Sequence, residues 1–335
     1  MILILGVTGS GKGRLAFDLA KDLGAEIISI DSMKVYRRMD IGTAKPPKEA
    51  RAQVKYHLID IVEPSDSFSV RSFLDNALEA TQQIRNRNKP VVAVGGTALY
   101  IKALLYGLFE GPATNKQIRA ELRARAETQG LEQLYRQLTQ VDPEAAARIH
   151  QNDARRIIRA LEVYELTGKP ISSFQQQWNV RERTGDRRQR TDGGQCLAGT
   201  SFDPAQDGPV VPVHHWAIIG LRREKTEENK RINARVKKMI AAGLVDEVKS
   251  LLSEEKPLSA QARCAIGYAE VIDHLSGKTT LEDAIELIKK NTRRLAKSQR
   301  TWFKTFRNVH WLDIESIESE ERVFQRGKKV IVGGK

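Results

Sequence analysis

Three glycines and a lysine near the start of the chain have the spacing that anion chemistry needs. Gly6-Val7-Thr8-Gly9-Ser10-Gly11-Lys12 follows an unbroken apolar run, Met1 to Leu5. Leu15-Ala16-Phe17-Asp18-Leu19-Ala20 comes next, with apolar residues at helical intervals. A buried strand, a glycine-rich turn and a helix, in that order, make a phosphate-binding loop. The glycines let the backbone curl until its N–H groups converge on an anion, and the helix N-terminus adds partial positive charge. Lys12 brings a mobile full charge to the outer phosphate. The pattern G-x-x-x-x-G-K-[ST] holds through Lys12 and then breaks, because Gly13 stands where a hydroxyl residue normally touches Mg²⁺. Asp31 ends a second apolar stretch, Ala25 to Ile30. In open α/β sheets function collects at the carboxyl ends of strands, although an Asp there also starts Asx-type turns. Gly95-Gly96-Thr97 closes a further run, Val91 to Val94. It is a second glycine turn with a hydroxyl, fit to wall an anion or substrate cleft, though the tripeptide alone is an ordinary tight turn.

The elements that must hold these residues show as periodicity. Strands are expected at Met1–Leu5, Ala25–Ile30, His57–Val62, Val91–Val94 and His215–Leu221. Helices are expected from Ser65–Ser69 to near Arg87, from Ala98 to near Tyr106, from Lys225 to Ala242, from Val245 to Leu252 and from Leu281 to near Phe306. Between Thr114 and Lys169 strand signals stop. Helices are read there near Lys116–Gln129, Leu131–Gln140, Pro143–His150 and Asp153–Leu166, the last with an apolar stripe of Ile157, Ile158, Leu161 and Tyr164. Arg155, Arg156 and Arg159 sit in its first two turns, where cations oppose the helix dipole and need anions from elsewhere. The expected organisation is a core of residues 1–113 and 213–315, a helical insertion at 114–180, a Gly/Pro-rich flexible segment at 181–212, and a tail at 316–335 forming a short helix with a loose end.

The net charge of +13 suits a polyanionic partner, nucleic acid first. Its distribution points the same way. Lys289, Lys290, Arg293, Arg294, Lys297, Arg300, Lys304 and Arg307 lie on one helix with no acid among them. A solvated helix face ordinarily mixes signs, so such self-repulsion suggests an external phosphate chain. Trp302, Phe303 and Phe306 read as core. No apolar run approaches the about eighteen residues that a membrane span needs, and no signal peptide is expected, since Met1 leads directly into the first strand. The two cysteines, Cys196 and Cys264, imply a reducing compartment, with cytoplasmic location expected. The scattered histidines argue against a structural metal.

Together these stretches resemble the tRNA dimethylallyltransferases (isopentenyl-diphosphate:tRNA transferases). The likeness rests on GVTGSGKG, DSMKVYRRMDIGTAKP, HLIDIVEPSDSFSV, VGGTALYIKALLYGLFEGP, VDPEAAARIHQNDARRIIRALEVYELTGKPIS, RINARVKKMIAAGLVDEVKSLL, AIGYAEV and NTRRLAKSQRTWF, in family order. The resemblance implies a nucleotide-kinase-like P-loop α/β parallel sheet with a helical insertion domain. It implies transfer of a five-carbon allyl group from dimethylallyl diphosphate to N6 of the adenosine 3′ of the anticodon, with Mg²⁺. Asp31 matches the family's catalytic Asp, and Thr97 a position beside the reacting centre that also meets the tRNA. Gly6 to Gly13 (Gly6, Val7, Thr8, Gly9, Ser10, Gly11, Lys12, Gly13) match the diphosphate loop. Arg231 and Arg235 lie one helical turn apart in the motif that supplies the diphosphate arginine, and either one fits.

Positions that contact tRNA in the family map onto Asp31, Ser32, Met33 and Lys34, onto Arg119, onto Arg155, Arg156, Ile157, Ile158 and Arg159, and onto Cys264, Ala265, Ile266, Gly267, Tyr268 and Ala269. Arg293, Arg294, Lys297 and Arg300 are added here as phosphate contacts on charge alone. The expected partners are dimethylallyl diphosphate and the anticodon stem-loop, with the protein a monomer and no membrane involved. Two other readings share parts of the pattern. One is a P-loop nucleotide kinase or ATPase, which Gly13 counts against. The other is a tRNA-binding protein whose chemistry Gly13 has weakened, against which Asp31, Lys12 and Thr97 speak.

Overall fold

A computed structural model describes residues 1–108, 111–174 and 216–333. The chain divides into two compact units, Met1–Leu105 with Pro212–Lys335, and Tyr106–Val211. In chain order the elements are β1 Ile2–Gly6, α1 Lys12–Leu23, β2 Glu26–Ile30, α2 Lys48–Gln53, β3 Tyr56–His57, α3 Val70–Asn86, β4 Val91–Gly95 and α4 Ala98–Tyr106. The insertion adds α5 Lys116–Gln129, α6 Leu131–Val141, α7 Pro143–Arg148, α8 Ala154–Thr167 and α9 Ile171–Phe174. The larger unit resumes with β5 Ala217–Arg223, α10 Lys225–Ala241, α11 Leu244–Leu252, α12 Ala260–Arg263, α13 Tyr268–Leu275, α14 Leu281–Phe303, β6 Val309–Ile314 and α15 Glu320–Val332.

The six strands form one sheet in the order β3-β2-β4-β1-β5-β6, and every pairing is parallel. Helices cover both faces of such a sheet, so its inner strands are apolar throughout rather than alternating; β1 and β2 are buried along their whole length. Parallel pairing also brings every strand's carboxyl end to one edge. The chain leaves β1 toward β2 and leaves β4 toward β5, in opposite directions. A crevice therefore opens at the carboxyl ends of β1 and β4, the topological switch point where such sheets bind ligands.

The expected strand at His57–Val62 is shorter than its apolar pattern suggests. Only Tyr56 and His57 pair with β2. Leu58 and Asp60 adopt positive φ, 62° and 57°, and left-handed residues cannot continue a strand. Val62 survives as an isolated bridge to Tyr36. Strand β6 went unread because it is an edge strand of mixed burial, with Val309, His310, Trp311 and Asp313 outside the core and only Leu312 and Ile314 buried. The 316–335 segment, expected as a short helix with a loose end, holds a 13-residue helix, α15, capped by Ser319. It packs on α1, with Gly327 against Leu15 and Lys328 paired with Asp22. The 181–212 segment, with Cys196, lies outside the described residues. Of the cysteines, Cys264 is described; it is free and exposed.

At the opposite edge of the sheet, Glu26 at the start of β2 is 2 % exposed. His57 Nε2 lies 2.7 Å from it, Arg87 approaches with Nε and Nη2, and Lys89 Nζ stands at 3.2 Å. Burial alone would raise this carboxyl. The Arg87, His57 and Lys89 contacts outweigh it and bring the group from 4.5 down to about 2. A depressed carboxyl contributes stability that is present above its unfolded value and is lost as pH falls toward the folded one. Glu26→Gln is thus expected to cost about 3 kcal/mol at neutral pH. Unfolding curves of the two proteins should converge as pH falls from 4.5 toward 2, and a gap that persists unchanged in acid would refute this.

Candidate active site

The glycine-rich loop leaves β1 and enters α1. Gly9 and Gly11 hold φ of 87° and 98°, which side chains with a Cβ resist; these angles turn the loop back over the helix start. Two arginines fasten it from outside: Arg231 Nε donates to the Gly9 carbonyl at 2.9 Å and Arg223 Nε to that of Ser10 at 3.0 Å. Lys12 Nζ rests 3.3 Å from the Val7 carbonyl. Gly13 is exposed in the first turn of α1, and a Cβ added there would meet nothing within 4 Å.

Asp31 follows β2 at the same edge. Its Oδ1 accepts from the N–H groups of Met33 at 2.9 Å and Lys34 at 3.3 Å. This is the Asx turn, and it occupies one oxygen only: no described residue hydrogen-bonds Oδ2. Thr97, after β4, accepts from the Ser32 N–H at 3.1 Å through Oγ1, which leaves its hydroxyl proton to donate elsewhere.

The charges here are unbalanced. Packing around Lys12, then the charges of Arg235 and Lys34, bring its ammonium down to about 7, with Asp31 pulling the other way. Lys34 and Arg235 are also lowered, burial being the larger cause for both, and Asp31 opposes the shift in each. Among the described residues none of these three cations makes a salt bridge. A multiply charged anion is what would relieve them. A cavity of about 820 Å³ opens beside Lys12 and Arg235, lined also by Gly13, Lys45, Arg231 and Lys238 among others. The two arginines therefore have different settings: Arg231 is exposed and bound to the loop backbone, while Arg235 is half-buried and felt by both Lys12 and Asp31.

Three side chains absent from the sequence reading build this site. Gln299 of α14 bonds both the loop and the turn after β4. Lys45, with a side chain 2 % exposed, ties Asp40 and Asp60 together at 2.6 and 2.5 Å and bonds the Tyr36 carbonyl. Glu247 accepts from the N–H groups of Asp40, Ile41 and Gly42 and from the Tyr268 hydroxyl. A lysine and a glutamate inside surface-like patterns gave no periodic signal. Only Gln299, on the inner stripe of an amphipathic helix, stood at a position where burial was legible.

The positions expected to meet RNA divide sharply. In α8, Arg155 and Arg156 are exposed. Ile157 and Ile158 are 0 % and 7 % exposed, because they are the helix's inner stripe, so their side chains face the insertion's core and not a ligand. Arg119 and Arg159 both bond Glu162, which is fully buried and whose other oxygen accepts the Asn115 N–H. Cys264 is exposed and Ile266 partly so, whereas Ala265, Gly267 and Tyr268 are buried. On α14, Arg294 and Lys297 are exposed. Arg293 bonds Asn233, and Arg300 is taken up by Glu228, whose side chain is 3 % exposed. The exposed cations Lys290, Arg294 and Lys297 make one stripe of the helix, continued by Lys304 at its C-cap.

Residues 34–306 match the IPP transferase family and residues 1–65 the isopentenyl transferase family. A tRNA dimethylallyltransferase of Geobacter metallireducens is 43% identical over 313 residues, covering 93% of this chain and 92% of its own. One from a Thermoanaerobacter species is 41% identical over 338 residues, covering 99% and 98%. Among solved structures, the tRNA isopentenylpyrophosphate transferase of Bacillus halodurans superposes with a TM-score of 0.67 at 37% identity, over 99% of this chain and 95% of that one. A eukaryotic dimethylallyltransferase acting on tRNA gives 0.70 at 26% identity, over 99% and 79%. By the family match and by these relatives, the chain belongs to the IPP transferase family of tRNA dimethylallyltransferases.

Proposed function

We propose that the protein transfers the dimethylallyl group of dimethylallyl diphosphate to N6 of the adenosine 3′-adjacent to the anticodon of tRNA, releasing diphosphate. The observation that carries this reading is the gathering of three unpaired cations around Asp31, beside the glycine loop, at one end of the sheet. An anion held by Lys12, Arg235 and the loop N–H groups would put its leaving oxygen where developing negative charge is stabilised. Arg231 keeps the loop in shape through the Gly9 carbonyl.

The adenine N6 lone pair is delocalised into the ring and attacks poorly. As the new C–N bond forms and the C–O bond to diphosphate breaks, the nitrogen turns acidic. Asp31 Oδ2 takes that proton, while Oδ1 holds the carboxylate in place through the turn. The Thr97 hydroxyl, anchored by Ser32 N–H, orients the amine. Ile41, Ala44, Ala234 and Met239 give the cavity beside Lys12 and Arg235 an apolar side for the five-carbon allyl group.

The target base must leave its stack to enter such a site, and single-stranded loops are where RNA sequence is read. The anticodon stem-loop is the natural partner for the exposed Arg155 and Arg156 and for the Lys290, Arg294, Lys297 and Lys304 stripe. The protein works as a monomer in the cytoplasm, where tRNA is found. No described helix is long and apolar enough to cross a membrane.

Mg²⁺ fits this site only as a companion of the diphosphate. Among the described residues no group of three or more His, Cys, Asp or Glu side chains could hold a metal. The open space at Gly13 admits water where the family carries a hydroxyl. When bound, the ion would neutralise charge on the leaving group. Gly13→Ser meets no clash and is expected to lower the Mg²⁺ concentration for half-maximal rate by roughly tenfold. An unchanged Mg²⁺ titration would mean that water fully replaces the hydroxyl.

The test of the reading is the reaction. Unmodified tRNA with an adenosine 3′ of its anticodon is incubated with protein, Mg²⁺ and dimethylallyl diphosphate, then digested for mass spectrometry. An adenosine heavier by one five-carbon allyl unit is expected. Its absence, with ATP hydrolysed instead, would return the protein to the kinase reading.

A further inference from the structure

The buried stripe of α14 has three polar members, Lys289, Thr292 and Gln299; Lys289 pairs with Glu286 and Thr292 with the Ile288 carbonyl of its own helix, whereas Gln299 bonds outside it. Ala284, Ile288, Ala296 and Phe303 face the core, and so does Gln299, 8 % exposed. Packing alone gives no reason for a carboxamide there, since an unsatisfied one is costly to bury. Both of its polar atoms are used. Oε1 accepts from the Thr8 N–H at 3.0 Å, and the Thr8 hydroxyl lies 3.5 Å away. Nε2 donates to the Gly96 carbonyl at 2.9 Å. The orientation of the amide follows from its partners, because an N–H must meet oxygen and a carbonyl must meet NH₂. Gly96 is kept bare for this contact: a Cβ there would fall 2.5 Å from Nε2.

Thr8 belongs to the diphosphate loop after β1, and Gly96 precedes Thr97 in the turn after β4. These are the two loops that diverge at the switch point. From Gly96 the chain of contacts continues: Thr97 Oγ1 receives Ser32 N–H, and Asp31 Oδ1 receives Met33 and Lys34 N–H. One carboxamide thus sets the spacing between the group that holds the leaving diphosphate and the segment that holds the proton acceptor.

We infer that Gln299 is a positioning residue of the transfer reaction, fixing the diphosphate loop against the Thr97–Asp31 segment. It touches neither substrate itself, and its effect is on alignment. Misalignment by a fraction of an ångström lowers the rate of the bound complex more than it lowers binding. The inference rests on the function proposed above.

The experiment uses the full-length protein with tRNA and dimethylallyl diphosphate and measures kcat, both KM values and thermal unfolding for wild type, Gln299→Leu and Gln299→Glu. Gln299→Leu is expected to lower kcat roughly thirtyfold, the loss of two neutral hydrogen bonds, with both KM values changing less than about threefold. Gln299→Glu gives a second readout. Ionised, it accepts from Thr8 but cannot donate to Gly96. Protonated, it regains both bonds, so its kcat relative to wild type should rise as pH falls, whereas that of Gln299→Leu stays flat. A wild type without transferase activity would overturn the proposed function. An active wild type with Gln299→Leu of equal kcat, with a loss confined to KM for tRNA, or with Glu and Leu variants of parallel pH profile, would overturn the role of Gln299. Should Gln299→Leu fail to fold, the pH profile of Gln299→Glu decides alone.

Discussion

Asp31→Asn is expected to lower the rate of prenyl transfer by about 10²–10⁴-fold, the range for removing a general base. The substitution is informative because Asp31 does two things with two atoms. An Asn Oδ1 still accepts from Met33 and Lys34 N–H, so the turn and the Thr97–Ser32 contact remain. What disappears is the basic Oδ2 and a negative charge amid Lys12, Lys34 and Arg235. Asp31→Ala removes the turn bonds as well and should be no more active than Asn. Single-turnover assays with saturating substrates check this. If Asn retains wild-type turnover and Ala does not, Asp31 is a turn former and the proton leaves by another route.

Lys12→Met is expected to cost about 10²–10³-fold in kcat, as loss of a charged donor to a developing oxyanion does. A pH signature accompanies it. In the free protein burial first, then Arg235 and Lys34, bring Lys12 to about 7, so near neutrality much of it is uncharged. A bound diphosphate favours the charged form and raises that value, and binding therefore takes up a proton. Affinity for dimethylallyl diphosphate should be full below about 7 and weaken as pH rises above it. The fall continues, up to tenfold per unit, until the raised value of the complex is passed. Isothermal calorimetry in buffers of different ionisation enthalpy measures the proton directly. Lys12→Met should lose that uptake, and a wild type that binds without it would sink the argument.

The glycine-rich turn after β1, the Asp31 turn after β2 and the Thr97 turn after β4 were legible because each sits where an apolar run meets a glycine or an acid, a local pattern. The insertion's helices were legible for the same reason, through caps and stripes such as that of α8. What escaped was tertiary. Gln299 lies 291 positions from Thr8, and no window of sequence relates them. Glu247 acts mainly on backbone N–H groups, which are the same in every sequence, and Lys45 on carboxylates and a carbonyl that only the folded loop brings to it. Ile157 and Ile158 carried a motif into the RNA-contacting set, although their own periodicity already placed them inside. Arg300 read as one more cation of a basic run, and only the buried Glu228 distinguishes it.

The sheet's connectivity bears on how the chain acquires activity. Strand β1 finds one neighbour, β4, about 90 residues downstream, and the other, β5, beyond residue 216; pairings of such separation make folding slow. Arg231 and Gln299, which hold the glycine-rich loop, come later still, and Lys328 meets Asp22 across 306 positions. A nascent chain paused on the ribosome after the insertion has made the loop's residues but none of the groups from α10, β5 and α14 that hold it. It also displays the open edge of β1, a ready surface for mispairing. Catalytic competence therefore arrives only late in synthesis, and until then the first strand needs either rapid completion of the chain or a chaperone's shelter.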